Sequence, residues 1–486
     1  MKTISILKHL TILLILIFLT INLYSCKENL KLNNNLYTKE PIEFWLTDSN
    51  NNIKFVKQET NIDTGRIQNQ GHEIISINSN KIYQTMDGFG FALTGGSAFH
   101  INNLSPDKKS KLLTELFDTT HMNIGVSYLR ISIGASDLDP YVFSYNDLDS
   151  GQTDIEMTNF TLEEDKKHLI PVLKEILKII PNIKILASPW SPPAWMKTNN
   201  SSIGGSLKPE YYEAYSNYFI KYLKNMNAEG ITIDAITIQN EPLHSNNNPS
   251  LLMLPEEQAN FIKGYLGPSF QANNLKTKII IYDHNADRID YPISILNDSE
   301  ARQYIDGSAF HLYGGDINDL SNIRMAHPDK NLYFTEQWIG APGNLSEDLR
   351  WHARNLLIGA SRNWCKTIIE WNLAADENQD PHTPGGCTEC LGAITISNNN
   401  YIKNPGFYII AHIAKYVRPG SKRIYSTTSP TLPNVSFLRN DNKIVTIVLN
   451  DSNSEIYFNI EHNEKYINSK LSSGALGTYI WDIEQL

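Results

Sequence analysis

The chain has 486 residues, of which 41% are hydrophobic and 19% charged, with no block of like charges. This excludes a disordered or fibrous polymer and leaves material for a large core in more than one domain. Its 42 Lys and Arg against 52 Asp and Glu give a net charge of −10, which argues against nucleic acid or an anionic membrane surface as the main partner.

Residues 1–25 predict an export leader. Lys2 and Lys8 accompany an apolar run from Leu10 to Leu23 that only Thr11, Thr20 and Asn22 interrupt. The run is short for a membrane span of ~20 residues and suits the apolar region of a signal peptide. Leu23-Tyr24-Ser25-Cys26 resembles a bacterial lipoprotein signal, in which Cys26 becomes the lipidated first residue, and Lys27-Glu28 resembles a surface-export tag. The expectation is an exported protein held at the outer membrane, exposed at the cell surface, by its lipid alone. Residues 26–41 read as a polar linker.

Residues 42–83 contain two stretches of polar and apolar alternation, Ile42–Val56 and Glu73–Tyr83, that predict strands. Over residues 84–415, short β-rich runs alternate with helical segments such as Lys108–Leu116, His168–Ile179 and Tyr211–Met226. The runs are Thr85–Leu93, Val126–Ile133, Lys184–Trp190, Ile233–Gln239, Lys278–Asp283, Gly307–Tyr313, Asn331–Glu336 and Thr367–Trp371. Eight βα units predict an α/β fold, a closed (β/α)8 TIM barrel. Residues 416–486 return to alternation, as in Ile444–Leu449 and Thr478–Trp481. With the N-terminal strands they predict a small antiparallel side β-sandwich built from both chain ends.

The C-terminal ends of barrel strands form the active face, so polar residues there take the functional reading first. The fourth run leads into Asn240-Glu241-Pro242, and the seventh ends Thr335-Glu336-Gln337-Trp338. Two carboxylates at strand ends facing one cleft are what retaining glycoside hydrolysis requires, one protonating the leaving oxygen and the other attacking the anomeric carbon. The charge of Glu336 is expected to raise the pKa of Glu241. Asn240 and Asp137 can hydrogen-bond sugar hydroxyls. Trp190 and Trp371 offer indole faces to apolar sugar surfaces. His311 and Tyr313, at i and i+2, share one side of the sixth strand and can set the nucleophile's charge by hydrogen bonding, and Arg130 can lower the pKa of a neighbouring carboxylate.

Cys365, Cys387 and Cys390 are too few for a disulfide scaffold and one short of a four-cysteine zinc site. Cys387 and Cys390 form a CxxC that could be a redox pair, half a metal site or a loop disulfide. Export to an oxidising compartment and the lack of a second CxxC favour the disulfide. No cofactor and no metal are expected.

The chain resembles the family 30 glycoside hydrolases, retaining enzymes that include glucosylceramidases, β-glucosidases, xylan-degrading enzymes and endo-β-1,6-glucanases. The resemblance rests on Asp87-Gly88-Phe89-Gly90, Tyr128-Leu129-Arg130, Ala187-Ser188-Pro189-Trp190, Gln239-Asn240-Glu241-Pro242, His311-Leu312-Tyr313, Thr335-Glu336 and Trp371-Asn372-Leu373-Ala374. It implies a barrel with a side sandwich, Glu241 as acid/base, Glu336 as nucleophile, and Asp137, Trp190, Asn240 and Trp371 as sugar-binding residues. Thr94-Gly95-Gly96 replaces the Thr-Asp of the glucosylceramidase branch, and Gln337-Trp338 replaces its small residue and cysteine. With the Pro384-Gly385-Gly386-Cys387 loop, these departures look more like the endo-β-1,6-glucanase branch, with Trp338 as an aromatic platform in a reshaped cleft. The expected substrate is therefore a glucan polysaccharide or oligosaccharide, and the expected state a monomer. The alternatives are a glucosylceramidase or exo-β-glucosidase, and an inactive carbohydrate-binding lipoprotein.

Overall fold

The computed structural model describes residues 42–59, 64–65 and 72–484. The expected leader, Cys26 and the linker lie outside them. Four strands come first: β1 (Glu43–Asp48), β2 (Ile53–Lys57), β3 (Thr64–Gly65) and the long β4 (Glu73–Thr85). Only Met86 and Asp87 separate β4 from the barrel.

The barrel strands are β5 (Gly88–Ala92), β6 (Tyr128–Ile133), β7 (Lys184–Pro189), β8 (Ala235–Thr237), β9 (Lys278–Asn285), β10 (Ile305–His311), β11 (Asn331–Glu336) and β12 (Cys365–Asn372). They close in sequence order, every neighbour parallel. Being covered on both faces, they are buried almost throughout, as are all six residues of β6. Gly90 is required where β5 meets β6, because a Cβ there would strike the Tyr128 carbonyl. Tyr128, Leu186, Ala235, Ile280, Ala309, Tyr333 and Ile369, from seven of the barrel strands, form one buried cluster.

β11 coincides with its predicted run, and the other runs shift at their ends for identifiable reasons. Thr85 belongs to β4 rather than to the first barrel strand. Gln239 lies beyond β8 because the chain leaves the ladder there, the Asn240 N–H donating to the Pro189 carbonyl and the Glu241 N–H to the Asp283 carbonyl. Amphipathic helices cover the outside, such as Pro106–Phe117, which opens on a proline and buries Leu112, Leu113, Leu116 and Phe117. Among the described residues no helix is long and apolar enough to cross a membrane.

After β12 come a small sheet of β13 (Ala374–Ala375), β14 (Ile394–Ser397) and β15 (Asn400–Lys403), then a helix, Pro405–Ala414. The chain ends in β16 (Lys422–Ser426), β17 (Asn434–Leu438), β18 (Lys443–Leu449), β19 (Ile456–His462), β20 (Lys465–Leu471) and β21 (Leu476–Asp482). These join the first four strands in the order β2-β1-β21-β18-β17-β16-β4-β19-β20-β3. The sandwich is thus made from both chain ends. Its pairings are antiparallel except β4 with β19, which is parallel. A second core holds it together, with Ile75, Phe458 and Ile467 from one part and Phe44, Ile444 and Tyr479 from the other. Buried His412, on the Pro405–Ala414 helix, ties this helix to both chain ends: its ring nitrogens lie 2.8 Å from the hydroxyls of Thr47 and Thr478.

Candidate active site

Strand ends β6 to β12 each deliver side chains to one cleft. Arg130, the centre of the network, is fully buried on β6. It pairs with Glu336, donates to Asp283 Oδ2 at 2.8 Å and to Asn240 Oδ1 at 2.7 Å, and reaches Ser188 Oγ at 3.3 Å. Its guanidinium lies 4.8 Å from the Trp190 ring and 5.7 Å from the Trp371 ring.

Asp283, at the end of β9, is the acceptor the sequence reading missed. It accepts from Arg130, Ser188, Thr237, Thr335 and His311. Burial alone would raise its pKa, but Arg130 and these donors hold it well below the usual carboxylate range. Its position depends on a bulge: Ala309 pairs with Tyr282 and Phe310 with His284, which leaves Asp283 out of register, and both Tyr282 and Asp283 have positive φ.

His311 stands at the end of β10, with Nδ1 3.0 Å from Glu241 Oε1 and Nε2 3.2 Å from Asp283 Oδ1. Its burial would favour the neutral ring, yet the charge of Glu336 and the contacts with Asp283 and Glu241 lift its pKa to about 9. It is therefore a cation at neutral pH. Tyr313 is partly exposed, and its hydroxyl donates to Glu336 Oε1 at 2.9 Å.

Glu241 and Glu336 thus face each other across His311. Single ligand atoms of Glu241, His311 and Glu336 all lie within 4.8 Å of one another. The expected ordering of the carboxylates is corrected here. Burial pushes Glu241 up, but the hydrogen bond and charge of His311 outweigh it and hold Glu241 below its usual value. Burial pushes Glu336 up, only partly offset by His311 and Arg130, and the neighbouring Glu241 adds to the rise. Two cations, Arg130 and His311, thus meet three carboxylates, Asp283, Glu241 and Glu336, so one shared proton would neutralise the cluster.

Glu241 also has a positive φ of 44°, an uncommon conformation held by its backbone bond to Asp283. On its other side, His284 Nε2 lies 3.9 Å from the same Oε1, and burial lowers the pKa of His284 to about 4.

The remaining predicted residues collect nearby. Trp190 and Trp371 stack at 5.4 Å and are only 2% and 4% exposed. Both rings therefore lie beside Arg130 with little of their indole surface open. Trp338 packs against the same cluster but is only partly buried. Asn240 is buried, and its Oδ1 accepts from Arg130. Asp137, in the loop after β6, is buried, and burial together with the charge of Glu336 raises its pKa to about 6. Cys387 and Cys390 are joined as a disulfide in the loop after β12, and Cys365 is free and buried. At the opposite end of the barrel a cavity of about 650 Å³ is lined by Asp87, Lys184, Asp234 and Lys278. Its carboxylates are matched by lysines, as Asp234 is by Lys184, which suits a structural face.

Comparison with known proteins agrees with this geometry. Residues 86–417 match the glycosyl hydrolase family 30 TIM-barrel domain and residues 420–479 the family 30 beta sandwich domain. An endo-1,6-beta-D-glucanase of Neurospora crassa is 33% identical over 398 residues, covering 78% of this chain and 81% of that protein. Lysosomal acid glucosylceramidase of Mus musculus is 28% identical over 440 residues, covering 84% and 83%. Among solved structures, the endo-beta1,6-glucanase BT3312 superposes with a TM-score of 0.83 at 35% identity, covering 91% of this chain and 99% of that one. Barrel and sandwich thus both match one group of enzymes, and the chain belongs to glycosyl hydrolase family 30.

Proposed function

We propose that this glycoside hydrolase cleaves internal bonds of β-1,6-linked glucan by double displacement, with retention of configuration. The observation that carries the mechanism is the approach of one oxygen each of Glu241 and Glu336 to within 4.8 Å around His311, which suits the ~5–5.5 Å between carboxyl groups of retaining enzymes better than the ~6.5–9.5 Å of inverting ones. Glu336, which receives both Arg130 and Tyr313, is the nucleophile. It attacks the anomeric carbon as Glu241 gives a proton to the glycosidic oxygen, forming a glycosyl ester and a free sugar hydroxyl. Glu241 then takes a proton from water, whose oxygen displaces Glu336. The first step needs the proton of the cluster on Glu241. The donors on Glu336 favour that allocation once a sugar oxygen lies against Glu241 and water is excluded.

Three similar proteins named as endo-1,6-beta-D-glucanases, each at least 31% identical, support the linkage, as does the BT3312 structure. Partly buried Trp338, beside the nucleophile, suits a polymer-binding cleft. Linear β-1,6-glucan should yield a ladder of oligomers early in digestion, with β configuration at the new reducing ends. Glucose as the sole early product would mean an exo-β-glucosidase, and activity confined to glucosylceramide would overturn the glucan assignment.

We further infer an exported, monomeric enzyme tethered by a lipid on Cys26, with no nucleic-acid partner. The support is the leader pattern up to Cys26 and the net charge of −10.

A further inference from the structure

The acid/base chemistry leaves one sequence motif without a task, the disulfide-closed loop Thr383–Cys390. The loop rests on Asp137. The Thr383 N–H donates to the Asp137 carbonyl at 2.9 Å and the Cys387 N–H to its carboxylate Oδ2 at 3.3 Å. A Cβ on Gly386 would run into the same carbonyl, so only glycine lets the loop lie this close. The other side of the segment is equally confined. The Gly96 N–H donates to the Leu138 carbonyl at 2.8 Å, and a Cβ on Gly95 would take the place of the Asp139 carboxylate. Asp139 Oδ2 in turn accepts from the Ser136 N–H and hydroxyl, both at 2.8 Å. The Gly95-Gly96 departure seen in the sequence thus seats residues 137–139.

The far half of the loop is fastened elsewhere. The Cys390 carbonyl accepts from Asn372 Nδ2 at 3.0 Å, the Glu389 carbonyl from the Ala341 N–H at 2.9 Å, and the Leu391 N–H donates to the Ile339 carbonyl at 3.0 Å. Asn372 ends β12 and Ile339 follows β11, the strand that carries Glu336. The Cys387–Cys390 bond therefore connects the half that holds Asp137 to the half anchored beside the nucleophile.

We propose that this disulfide is a positioning element for substrate binding, fixing the Asp137 carboxylate relative to Glu336 so that it accepts a hydrogen bond from the bound sugar. The inference rests on the reading of Asp137 as a sugar-binding residue and goes beyond it by assigning the cysteine pair, Gly386 and Gly95 to that task.

A double-mutant cycle with a β-1,6-gluco-oligosaccharide tests it. Asp137→Ala should raise KM about tenfold, the scale of one hydrogen bond to a charged group. Joint Cys387→Ser and Cys390→Ser should raise KM about as much and leave kcat within about twofold, but add less than about twofold in the Asp137→Ala background. Gly386→Ala, which keeps the disulfide, should reproduce the effect, and covers the case in which the serine variant fails to fold. Equal cost of the serine pair in both backgrounds, or an unchanged KM in Gly386→Ala, would overturn the positioning role while leaving Asp137 as a sugar contact. An unchanged KM in Asp137→Ala would instead remove the sugar-binding reading itself, and the proposal with it.

Discussion

The Tyr313 hydroxyl donates to Glu336 Oε1 at 2.9 Å, while Arg130 pairs with Oε2 of the same carboxylate. Both oxygens of the nucleophile are therefore occupied before substrate arrives. Losing the tyrosine donor leaves the charge on Glu336 less well stabilised and less well aimed. Tyr313→Phe should reduce kcat on aryl β-glucosides by about 10- to 100-fold, the worth of one charged hydrogen bond. An unchanged kcat would remove Tyr313 from the machinery.

The two glutamates should fail differently. Glu336→Ala should abolish turnover, and a fluorosugar inactivator should label the wild-type peptide containing Glu336. Glu241→Ala should lose about 10²- to 10⁴-fold on substrates with poor leaving groups while activated aryl glycosides still form the ester, and azide should restore part of the turnover. Equal losses on both substrate kinds without azide rescue would remove Glu241 as the acid.

His311 gives a stability signature in alkali. Its folded pKa of about 9 lies above the value of about 6.5 for a free histidine, so its contribution is full below about pH 6.5 and is lost as pH rises through about 9. Urea unfolding should show about 3 kcal/mol disappearing across that window. His311→Asn should flatten the slope. Asp283, whose pKa is depressed, acts in the opposite direction: its contribution is present above the ordinary aspartate range and is lost as acid protonates it.

His412 is buried between Thr47 and Thr478 and held neutral by that burial. His412→Ala removes two hydrogen bonds and opens a cavity, so urea unfolding should show a loss of about 3 kcal/mol. Because the residue is remote from the carboxylates, kcat below the unfolding transition should not change.

If Cys26 carries the tether, Cys26→Ala should move active enzyme from the membrane fraction to the soluble one. Retention in the membrane fraction would point to another mode of attachment.

The barrel was legible because its strands, buried on both faces, read as β-branched apolar runs between amphipathic helices. The two glutamates were legible because each follows such a run. Asp283 follows Ile279-Ile280-Ile281-Tyr282 and carries the same signal. What the sequence hides is the bulge that turns this side chain inward, since alternation assumes a regular strand. The covering of the two tryptophans was hidden for another reason. A cation beneath an indole satisfies it as a sugar would, and the partner, Arg130, lies on a different strand, remote in sequence from both rings. The proton order of the glutamates depended on His311, whose charge follows from three acidic neighbours brought together only by the closed barrel.

The long strand β4 sets the order in which the molecule can be assembled. Its ladder partners are β16 and β19, and β1, beyond its hairpin with β2, pairs with β21, so β4 finds its neighbours only near the end of the chain. On a ribosome the barrel can begin to close while β4 waits with both edges open, a state that invites pairing with other chains. Completion of the last strands removes that exposure. A chain truncated after the barrel would therefore be expected to aggregate during synthesis even with every catalytic group intact.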